Sequence, residues 1–268
     1  MFTKGEIRMN VLTFAKWAAE MAPAWILSLP EGLQRVLFQF FQVFVYENRW
    51  KFFTDGLITT FAVTIGALVL GVIIGMVVAI IRSTHDSSRR KPNIILRFFN
   101  MICKVYVTVL RGTPLMVQLL IMGFVVMVPK GTLETNICAI ITLGINSGAY
   151  VAEIARSGIM SINAGQMEAG RSLGLNYWQT MRFIIIPQAF KNILPALGNE
   201  LIALLKETSL VTVIALQDVT KAAQVIVSKT YTATIPYISL ALIYLVLVMI
   251  LTKLLGILER RLRESDKR

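Results

Sequence analysis

The stretch GLITTFAVTIGALVLGVIIGMVVAII, residues 56–81, contains 26 residues and no charged side chain. A run of about 20 apolar residues is long enough to cross the hydrocarbon core of a bilayer as a helix. Asp55 precedes the run and Arg82 follows it, so each charge has the sign that the helix dipole favours at its end. The stretch therefore predicts a membrane-spanning helix.

Small residues recur every four positions along this predicted helix, and a shorter series occurs in a later apolar segment. The first series is Ala67, Gly71, Gly75 and Ala79, and the second is Gly144, Gly148 and Ala152. Residues four apart lie on the same face of a helix. Because small side chains let a second helix approach closely, we expect both series to lie at helix–helix contacts.

The rest of the chain contains further apolar segments. Hydrophobic residues make up 56% of the 268 residues and charged residues only 16%, whereas soluble domains average about 25% charged residues. Beside 56–81, we predict spanning helices at about 114–128, 136–156, 183–205 and 234–257. The predicted fold class is an all-α polytopic membrane protein with about five transmembrane helices.

Two connecting regions are predicted to lie outside the spans. Residues 94–113 mix apolar side chains with Arg97, Lys104 and Arg111. This mixture is typical of a helix that lies along the cytoplasmic interface while its basic side chains reach towards water. Residues 206–233 are predicted to form a polar connection.

The formal net charge of +12 is also common in nucleic-acid-binding proteins, but here the basic residues collect in loops. Loop 82–97 and the C-terminal tail are rich in Lys and Arg, loop 157–182 adds Arg171 and Arg182, and no basic stripe with interleaved aromatic residues appears on a polar domain. The positive-inside rule predicts an outside N-terminus and a cytoplasmic C-terminus. No nucleic-acid partner is therefore predicted.

The chain divides into three predicted parts. Residues 1–50 are an N-terminal extension that we predict to be amphipathic and interfacial. Lys16 and Glu20 interrupt its apolar runs, which argues against a signal peptide. Residues 51–262 form the transmembrane domain, and residues 263–268 form a cytoplasmic tail.

Residues that carry chemistry are scarce. Cys103, Cys138 and His85 are the only cysteines and histidine, so neither a metal site nor a disulfide framework is predicted. We predict no cofactor and no catalytic residue. The sequence also contains no Walker-type phosphate-binding motif, so ATP hydrolysis is not expected from this chain.

The polar stretch GQMEAGRSLGLNYWQTMRFIIIPQ, residues 165–188, lies between the third and fourth predicted spans. Two pairs have the spacing of capping boxes, namely Asn163 with Gln166 and Asn176 with Gln179. Gly174 suits the left-handed position that ends a helix. We predict a short helix, a tight turn and a second helix that continues into the fourth span.

This folded segment is longer than a simple connection requires. It carries apolar side chains at Met167, Leu173, Leu175, Tyr177 and Trp178. Exposed apolar groups on a capped helix favour docking into a groove of another protein. The alternative is an ordinary helix–turn–helix connection.

Part of this stretch, EAGRSLGLNYWQTMRFIIIP, resembles the EAA signature of ABC-importer permeases. In that signature three residues separate Glu-Ala-Ala from a Gly, and nine residues separate this Gly from Ile-x-Leu-Pro. The matching residues are Glu168, Ala169, Gly174, Ile184 and Pro187, while Gly170 replaces the second Ala and Ile186 replaces Leu. The segments RGTPLMVQLL (111–120), GAYVAEIARSGIMSINAGQ (148–166) and PQAFKNILPALGNELIALLKETSL (187–210) look like the polar amino acid subfamily, and the resemblance covers about residues 50–262.

The resemblance implies the type I ABC-importer permease fold, also called MetI-like, and a role in moving polar amino acids into the cell across the cell membrane. It implies that residues 163–178 form a coupling helix that contacts a separate ATPase. The expected contact residues are Gly165, Gln166, Glu168, Ala169, Gly170, Arg171, Ser172, Leu173 and Gly174. The implied partners are an ABC ATPase dimer, a second permease subunit (the same chain or a homologue), an extracytoplasmic amino acid-binding protein and the lipid bilayer.

Polar residues inside predicted spans indicate where a solute could pass. The candidates are Asn146, Tyr150 and Glu153 on the third span, Gln188, Asn199 and Glu200 on the fourth, and Thr208 after it. We expect these residues to line the substrate pathway, because a zwitterionic amino acid needs both donors and acceptors. The sequence equally allows an ion pair between Glu153 and Arg156, and a helix end at Thr208.

Two other functions stay open at this point. A stand-alone secondary transporter fits Pro187 and Pro195 as marks of a broken helix, although five spans do not divide into two equal inverted repeats. A membrane enzyme is disfavoured, because such an enzyme needs a cluster of titratable groups suited to catalysis.

Overall fold

The computed structural model describes residues 12–86 and 92–265, with side chains through Leu262. Residues 1–11 of the predicted extension, 87–91 of the predicted basic loop and 266–268 of the predicted tail lie outside the described residues. The chain forms two compact units. We call them the N-terminal unit, which runs to Thr59 and includes Gln217–Leu245, and the central unit, which comprises Thr60–Leu216 and the residues from Val246 onward.

Regular structure in the described residues is entirely helical. The α-helices in chain order are α1 (Phe14–Glu20), α2 (Ala24–Leu27), α3 (Glu31–Phe40), α4 (Trp50–Asp86), α5 (Ile94–Gly112), α6 (Leu115–Ile121), α7 (Thr132–Met160), α8 (Ala164–Ser172), α9 (Tyr177–Thr180), α10 (Ile186–Glu207), α11 (Val219–Thr230) and α12 (Thr234–Ser265). Two of the three unit boundaries fall within α4 and α12, and the third lies between α10 and α11.

In the N-terminal unit, α1 to α3 fold around a small aromatic core. Trp17 is 2% exposed and lies within ring-contact distance of Phe14, Phe38 and Phe41. Thr13 caps α1 by accepting a hydrogen bond from the Lys16 N–H. Aromatic rings bury large apolar areas, so a segment this short can form a core of its own.

A second core in the same unit joins the start of α4 to α11. Asp218 caps α11 by accepting hydrogen bonds from the backbone N–H groups of Thr220 and Lys221 at 3.0 and 2.8 Å. A Cβ on Gly56 would lie 2.8 Å from the Asp218 carbonyl oxygen, so the two backbones approach closely here. The prediction of a polar connection over 206–233 is wrong in this part, because α11 buries apolar side chains at Val219, Ala222, Ala223 and Ile226.

Three helices are long and apolar enough to cross a membrane, namely α4, α7 and α12. Two bent helix pairs meet the same criterion when each pair is counted as one broken span. The described residues thus contain three to five candidate spans, which confirms the predicted all-α polytopic class. α4 is longer than predicted, because the helix begins at Trp50 and continues to Asp86.

In the central unit, α4 and α7 pack through the two predicted series of small residues. A Cβ on Gly75 would lie 2.6 Å from the Val151 side chain, and one on Gly144 would lie 2.8 Å from Leu70. Each glycine therefore accepts a bulky neighbour from the opposite helix. Positions 70 and 75 meet positions 144 and 151 in the same order, so the two helices run parallel.

The segment predicted to lie along the membrane surface, 94–113, instead packs into the bundle. α5 runs antiparallel to α7 and buries Cys103 against Ala149 and Ala152. The Tyr106 hydroxyl donates a hydrogen bond to the Ile145 carbonyl at 2.6 Å. A bend of 105° separates α5 from the helical segment Leu115–Val126, so the two form one broken span or a re-entrant pair. The interfacial prediction is wrong because α5 has an apolar face, with Cys103 and Val107, that packs against α7.

Candidate functional site

The loop between α7 and α10 is a helical hairpin, which we call the coupling hairpin (residues 163–180). Asn163 caps α8 by accepting a hydrogen bond from the Gly165 N–H at 2.8 Å. Asn176 and Gln179 exchange two side-chain to backbone hydrogen bonds, both of 2.9 Å, which form the capping box predicted for α9. Local hydrogen bonds therefore define both helix starts, as the sequence predicted, although the first cap bonds Gly165 rather than Gln166.

The turn of the hairpin is a Schellman motif. Gly174 has a φ of +84°, the left-handed conformation predicted for it. The Leu175 N–H donates to the Gly170 carbonyl at 3.1 Å, and the Gly174 N–H donates to the Arg171 carbonyl at 3.0 Å. The turn satisfies the last carbonyls of α8 and fixes the angle between the two helices.

Gly170 has a structural role that the sequence pattern did not indicate. It is buried, and a Cβ at this position would lie 2.6 Å from Cγ2 of Thr180. The missing side chain lets α8 lie directly against the start of the helix that leads into α10. This close contact offsets the low helix propensity of glycine.

The coupling hairpin exposes two of its five apolar residues strongly. Leu173 is 80% exposed and Trp178 is 67% exposed. Met167, Leu175 and Tyr177 are half-buried. Its apolar outer surface is therefore smaller than predicted and centres on the turn.

The base of the hairpin is firmly attached to the spans. α9 continues through a π-helical turn, Met181–Ile185, into α10. The Asn192 side chain donates a hydrogen bond to the Ser161 hydroxyl at 3.0 Å. A side chain on Gly158 would collide with Ile193. The base of the hairpin is thus connected to both α7 and α10.

The first set of predicted pathway residues faces α5 and α6. Asn146 is 4% exposed and donates hydrogen bonds to Oε1 of Gln118 at 2.9 Å and to the Leu110 carbonyl at 3.3 Å. The Arg111 guanidinium lies 5.1 Å from the centroid of the Tyr150 ring, within cation–π range. These side chains form a polar cluster where the α5–α6 bend meets α7.

Glu153 lies apart from this cluster, in an ion-pair network at the end of α4. Its carboxylate accepts hydrogen bonds from Arg82 and, at 3.0 Å, from Nη2 of Arg156. Arg156 also lies 3.5 Å from the Asp86 carboxylate. The ion pair with Arg156 that the sequence allowed is therefore present. The additional partner, Arg82, lies on α4 and precedes Glu153 by 71 residues.

The residues on α10 have separate partners. Glu200 accepts a hydrogen bond from the Ser147 hydroxyl of α7 at 2.7 Å. Gln188 donates to the Ile184 carbonyl in the preceding π-helical turn, and Asn199 donates to the Pro195 carbonyl within α10. Thr208 is fully buried and donates to the Leu205 carbonyl at 2.7 Å.

The structure therefore divides the predicted pathway residues among three places. Asn146 and Tyr150 lie between α7 and the α5–α6 bend, Glu153 lies at the end of α4, and Glu200 lies between α7 and α10. The described bonds of Gln188, Asn199 and Thr208 are local. Ser147 was missed, because it is next to Asn146 in sequence and faces a different helix. Its small polar side chain, directly before Gly148 of the small-residue series, was the available signal.

A family model supports this assignment of elements. The model for the binding-protein-dependent transport system inner membrane component matches residues 93–264, from α5 to the end of α12. The match includes the coupling hairpin and all three groups of polar residues except Arg82 and Asp86.

Curated relatives extend the similarity. The arginine transport system permease protein ArtQ of Bacillus subtilis (strain 168) is 42% identical over 206 residues, which cover 76% of this chain and 91% of the relative. The glutamine transport system permease protein GlnP of Escherichia coli (strain K12) is 38% identical over 166 residues, which cover 61% of this chain and 76% of the relative.

Solved structures share the fold. A crystal structure of an amino acid ABC transporter with histidines matches with a TM-score of 0.70 and 43% identity, over 79% of this chain and 94% of that one. The MetNI methionine ABC transporter matches with a TM-score of 0.66 at 19% identity, which shows the MetI-like fold alone. The family model and the relatives together place the chain in the family of inner membrane components of binding-protein-dependent transport systems.

Proposed function

We propose that this chain is the membrane-spanning permease subunit of an ATP-driven importer that moves polar amino acids into the cell. Relatives named for arginine and glutamine transport support an amino acid substrate. The observation that carries the mechanism is the rigid coupling hairpin with an apolar tip, Leu173, that is 80% exposed. An apolar tip on a fixed support suits insertion into a cleft of a second protein.

In the proposed mechanism, the hairpin docks into a separate ATPase subunit. The proposed contact residues are those at and before its turn, namely Gly165, Gln166, Glu168, Ala169, Gly170, Arg171, Ser172, Leu173 and Gly174. Gly170 is buried, so it would contribute by letting α8 pack closely rather than by direct contact. ATP binding shifts the ATPase between two states that hold the hairpin in different positions. The attachments to α7 and α10 then transfer this difference to the spans.

The remaining partners follow from the same proposal. A second permease subunit, identical or homologous, completes the pore, and a binding protein delivers the amino acid from outside. We place the C-terminus and the coupling hairpin in the cytoplasm and the N-terminus outside, because the basic loops favour the cytoplasmic side. ATP hydrolysis is assigned to the separate ATPase.

For the substrate pathway, we propose the polar groups that α7 and α10 contribute. Glu200 is the strongest candidate, since its carboxylate is partly buried and accepts a hydrogen bond from the Ser147 hydroxyl of α7. Neutral donors and acceptors at other positions along α7 and α10 come from Asn146, Tyr150, Gln188 and Asn199. Glu153 and Thr208 are retained in the proposal, although both already have intramolecular partners.

The experiment is ATP-dependent uptake in vesicles that contain this chain, its ATPase and its binding protein. We expect Leu173→Ser to lower uptake by about tenfold or more, since loss of a buried apolar anchor costs on the order of 1.5–3 kcal/mol. Leu133→Ser is the matched control, because Leu133 is 72% exposed at the opposite end of α7. ATPase assembly is measured in parallel by co-purification.

Equal uptake by both variants would remove the docking proposal. Uptake by this chain alone, driven by an ion gradient without ATP or an ATPase, would instead identify a secondary transporter.

A further inference from the structure

Helix α3 of the N-terminal unit carries apolar side chains on two faces. One face packs against the rest of the unit, and the other is exposed. Leu37 and Phe38 pack against the aromatic core around Trp17. On the adjoining side, Leu33, Val36 and Phe40 are 47%, 49% and 53% exposed. Their spacing of three and four residues places them on one face. We call this face the open stripe of α3.

The open stripe continues through aromatic contacts to the first turns of α4. The Phe40 ring lies 4.7 Å from the Phe44 ring, and Phe44 stacks on Phe53 of α4 at 5.5 Å. α4 is one of the three helices that qualify as membrane spans on their own. Trp50, the first residue of α4, is 47% exposed, and Trp is enriched where a helix enters the interfacial region of a bilayer. The open stripe is therefore contiguous with the point where a spanning helix begins.

The opposite side of α3 is polar. Glu31 and Arg35 form an exposed ion pair at 2.6 Å across one helical turn. Within residues 12–50 the chain has three basic and three acidic side chains, which are Lys16, Arg35, Arg49, Glu20, Glu31 and Glu47. A segment without net charge gains little from anionic headgroups, so any membrane contact depends on the apolar stripe.

We propose that α3 lies in the plane of the bilayer surface, with its open stripe inserted between the lipid headgroups and the upper acyl chains beside the start of α4. An amphipathic helix in this position buries its apolar face in the boundary region and keeps its charged face in water. The ring contacts of Phe40 with Phe44, and of Phe44 with Phe53, hold the stripe beside the start of α4. The bilayer is the occupant because the stripe joins a spanning helix, whereas a protein partner would have to compete with lipid there.

The test is a depth measurement by spin labelling in the assembled transporter, reconstituted into phosphatidylcholine vesicles. Single cysteines are introduced as Val36→Cys and Arg35→Cys, one on each side of α3, with Ile65→Cys of α4 as the lipid-exposed reference. Cys103 and Cys138 are buried, and unmodified chain measures their background labelling. Collision of each label with oxygen and with a water-soluble nickel chelate reports its surroundings.

We expect a severalfold higher oxygen-to-nickel ratio at Val36 than at Arg35, and a higher ratio still at Ile65, which lies about 22 Å further along α4. Added phosphatidylglycerol is expected to leave this difference unchanged, because the segment has no net charge. High nickel collision at both α3 positions would overturn the proposal in favour of a water-exposed helix. A label at Val36 that neither reagent reaches would overturn it in favour of a covering protein, such as a second copy or the binding protein. None of these outcomes depends on the solute that the transporter carries.

Discussion

Gly75 and Gly256 are both glycines within long helices, but only Gly75 has a neighbour in the space that a side chain would fill. A Cβ on Gly75 would lie 2.6 Å from Val151 and 2.9 Å from the Ala152 backbone nitrogen, whereas nothing lies within 4 Å of a Cβ on Gly256. The α4–α7 contact therefore depends on single missing methyl groups.

We predict that Gly75→Ala lowers the stability of the chain in detergent by about 1–3 kcal/mol, the usual cost of overpacking. Gly256→Ala is the matched control and should be neutral or stabilising by up to about 1 kcal/mol, because alanine has the higher helix propensity. Thermal unfolding of the two purified variants checks both signs. Equal shifts in the midpoint would contradict the close α4–α7 contact.

Glu200 is the second residue whose role can be isolated. Its partner is the Ser147 hydroxyl, which can donate to a carboxylate or accept from an amide. We predict that Glu200→Gln leaves the fold intact and reduces arginine uptake more than glutamine uptake, since only arginine carries a net positive charge. Loss of one charge-assisted hydrogen bond corresponds to about a tenfold decrease in kcat/KM.

Uptake of labelled arginine and glutamine in reconstituted vesicles measures this ratio. Ser147→Ala serves as the control for a purely local effect, because it removes the hydrogen bond and keeps the charge. If Glu200→Gln leaves uptake of both amino acids unchanged, Glu200 lies outside the pathway.

At the scale of elements, the end of α4 is joined to α7 by ion pairs as well as by packing. Arg82, Glu153 and Arg156 have side chains that are 16%, 21% and 27% exposed. Partial burial makes such a network stronger than a surface pair, although solvent still screens it. The geometry favours a structural role for Glu153 over direct contact with the solute.

A double-mutant cycle tests this role. We predict that Arg82→Ala and Glu153→Ala are non-additive, with a coupling energy of about 1 kcal/mol that decreases at high salt. The measurement is the free energy of unfolding of both single variants and the double variant. Additive effects would show that Glu153 is not energetically coupled to Arg82, and would favour a role of Glu153 in the substrate pathway.

The coupling hairpin is the other informative element. Its caps and its turn are local features, so Asn176, Gln179 and Gly174 already predicted them. The approach of α8 to the next helix depends instead on the contact of Gly170 with Thr180. A local pattern does not contain that contact, and the number of exposed apolar residues was overestimated for the same reason.

At the scale of the whole molecule, the proposed orientation has one direct consequence. α7 contains 29 residues and is therefore about 43 Å long, enough to place its two ends on opposite sides of a bilayer. Leu133 lies near the N-terminal end of α7, and Leu173 lies in the coupling hairpin that follows its C-terminal end.

We predict that a membrane-impermeant thiol reagent labels Leu133→Cys and spares Leu173→Cys in intact cells. Both positions are highly exposed, and the native cysteines are buried, so accessibility reports sidedness. Permeabilised cells provide the control, in which both variants should react. The reverse pattern in intact cells would invert the proposed topology.

The sequence by itself determined the helical membrane class, the series of small residues and the caps and turn of the coupling hairpin. These features depend on composition, helical periodicity and contacts within a few residues, which a linear pattern contains. The tertiary structure decided that α5 packs against α7, that α11 is buried, that Glu153 pairs with Arg82 and that Ser147 faces Glu200. Each of these depends on residues far apart in the chain, and their side chains gain their partners only when the helices pack.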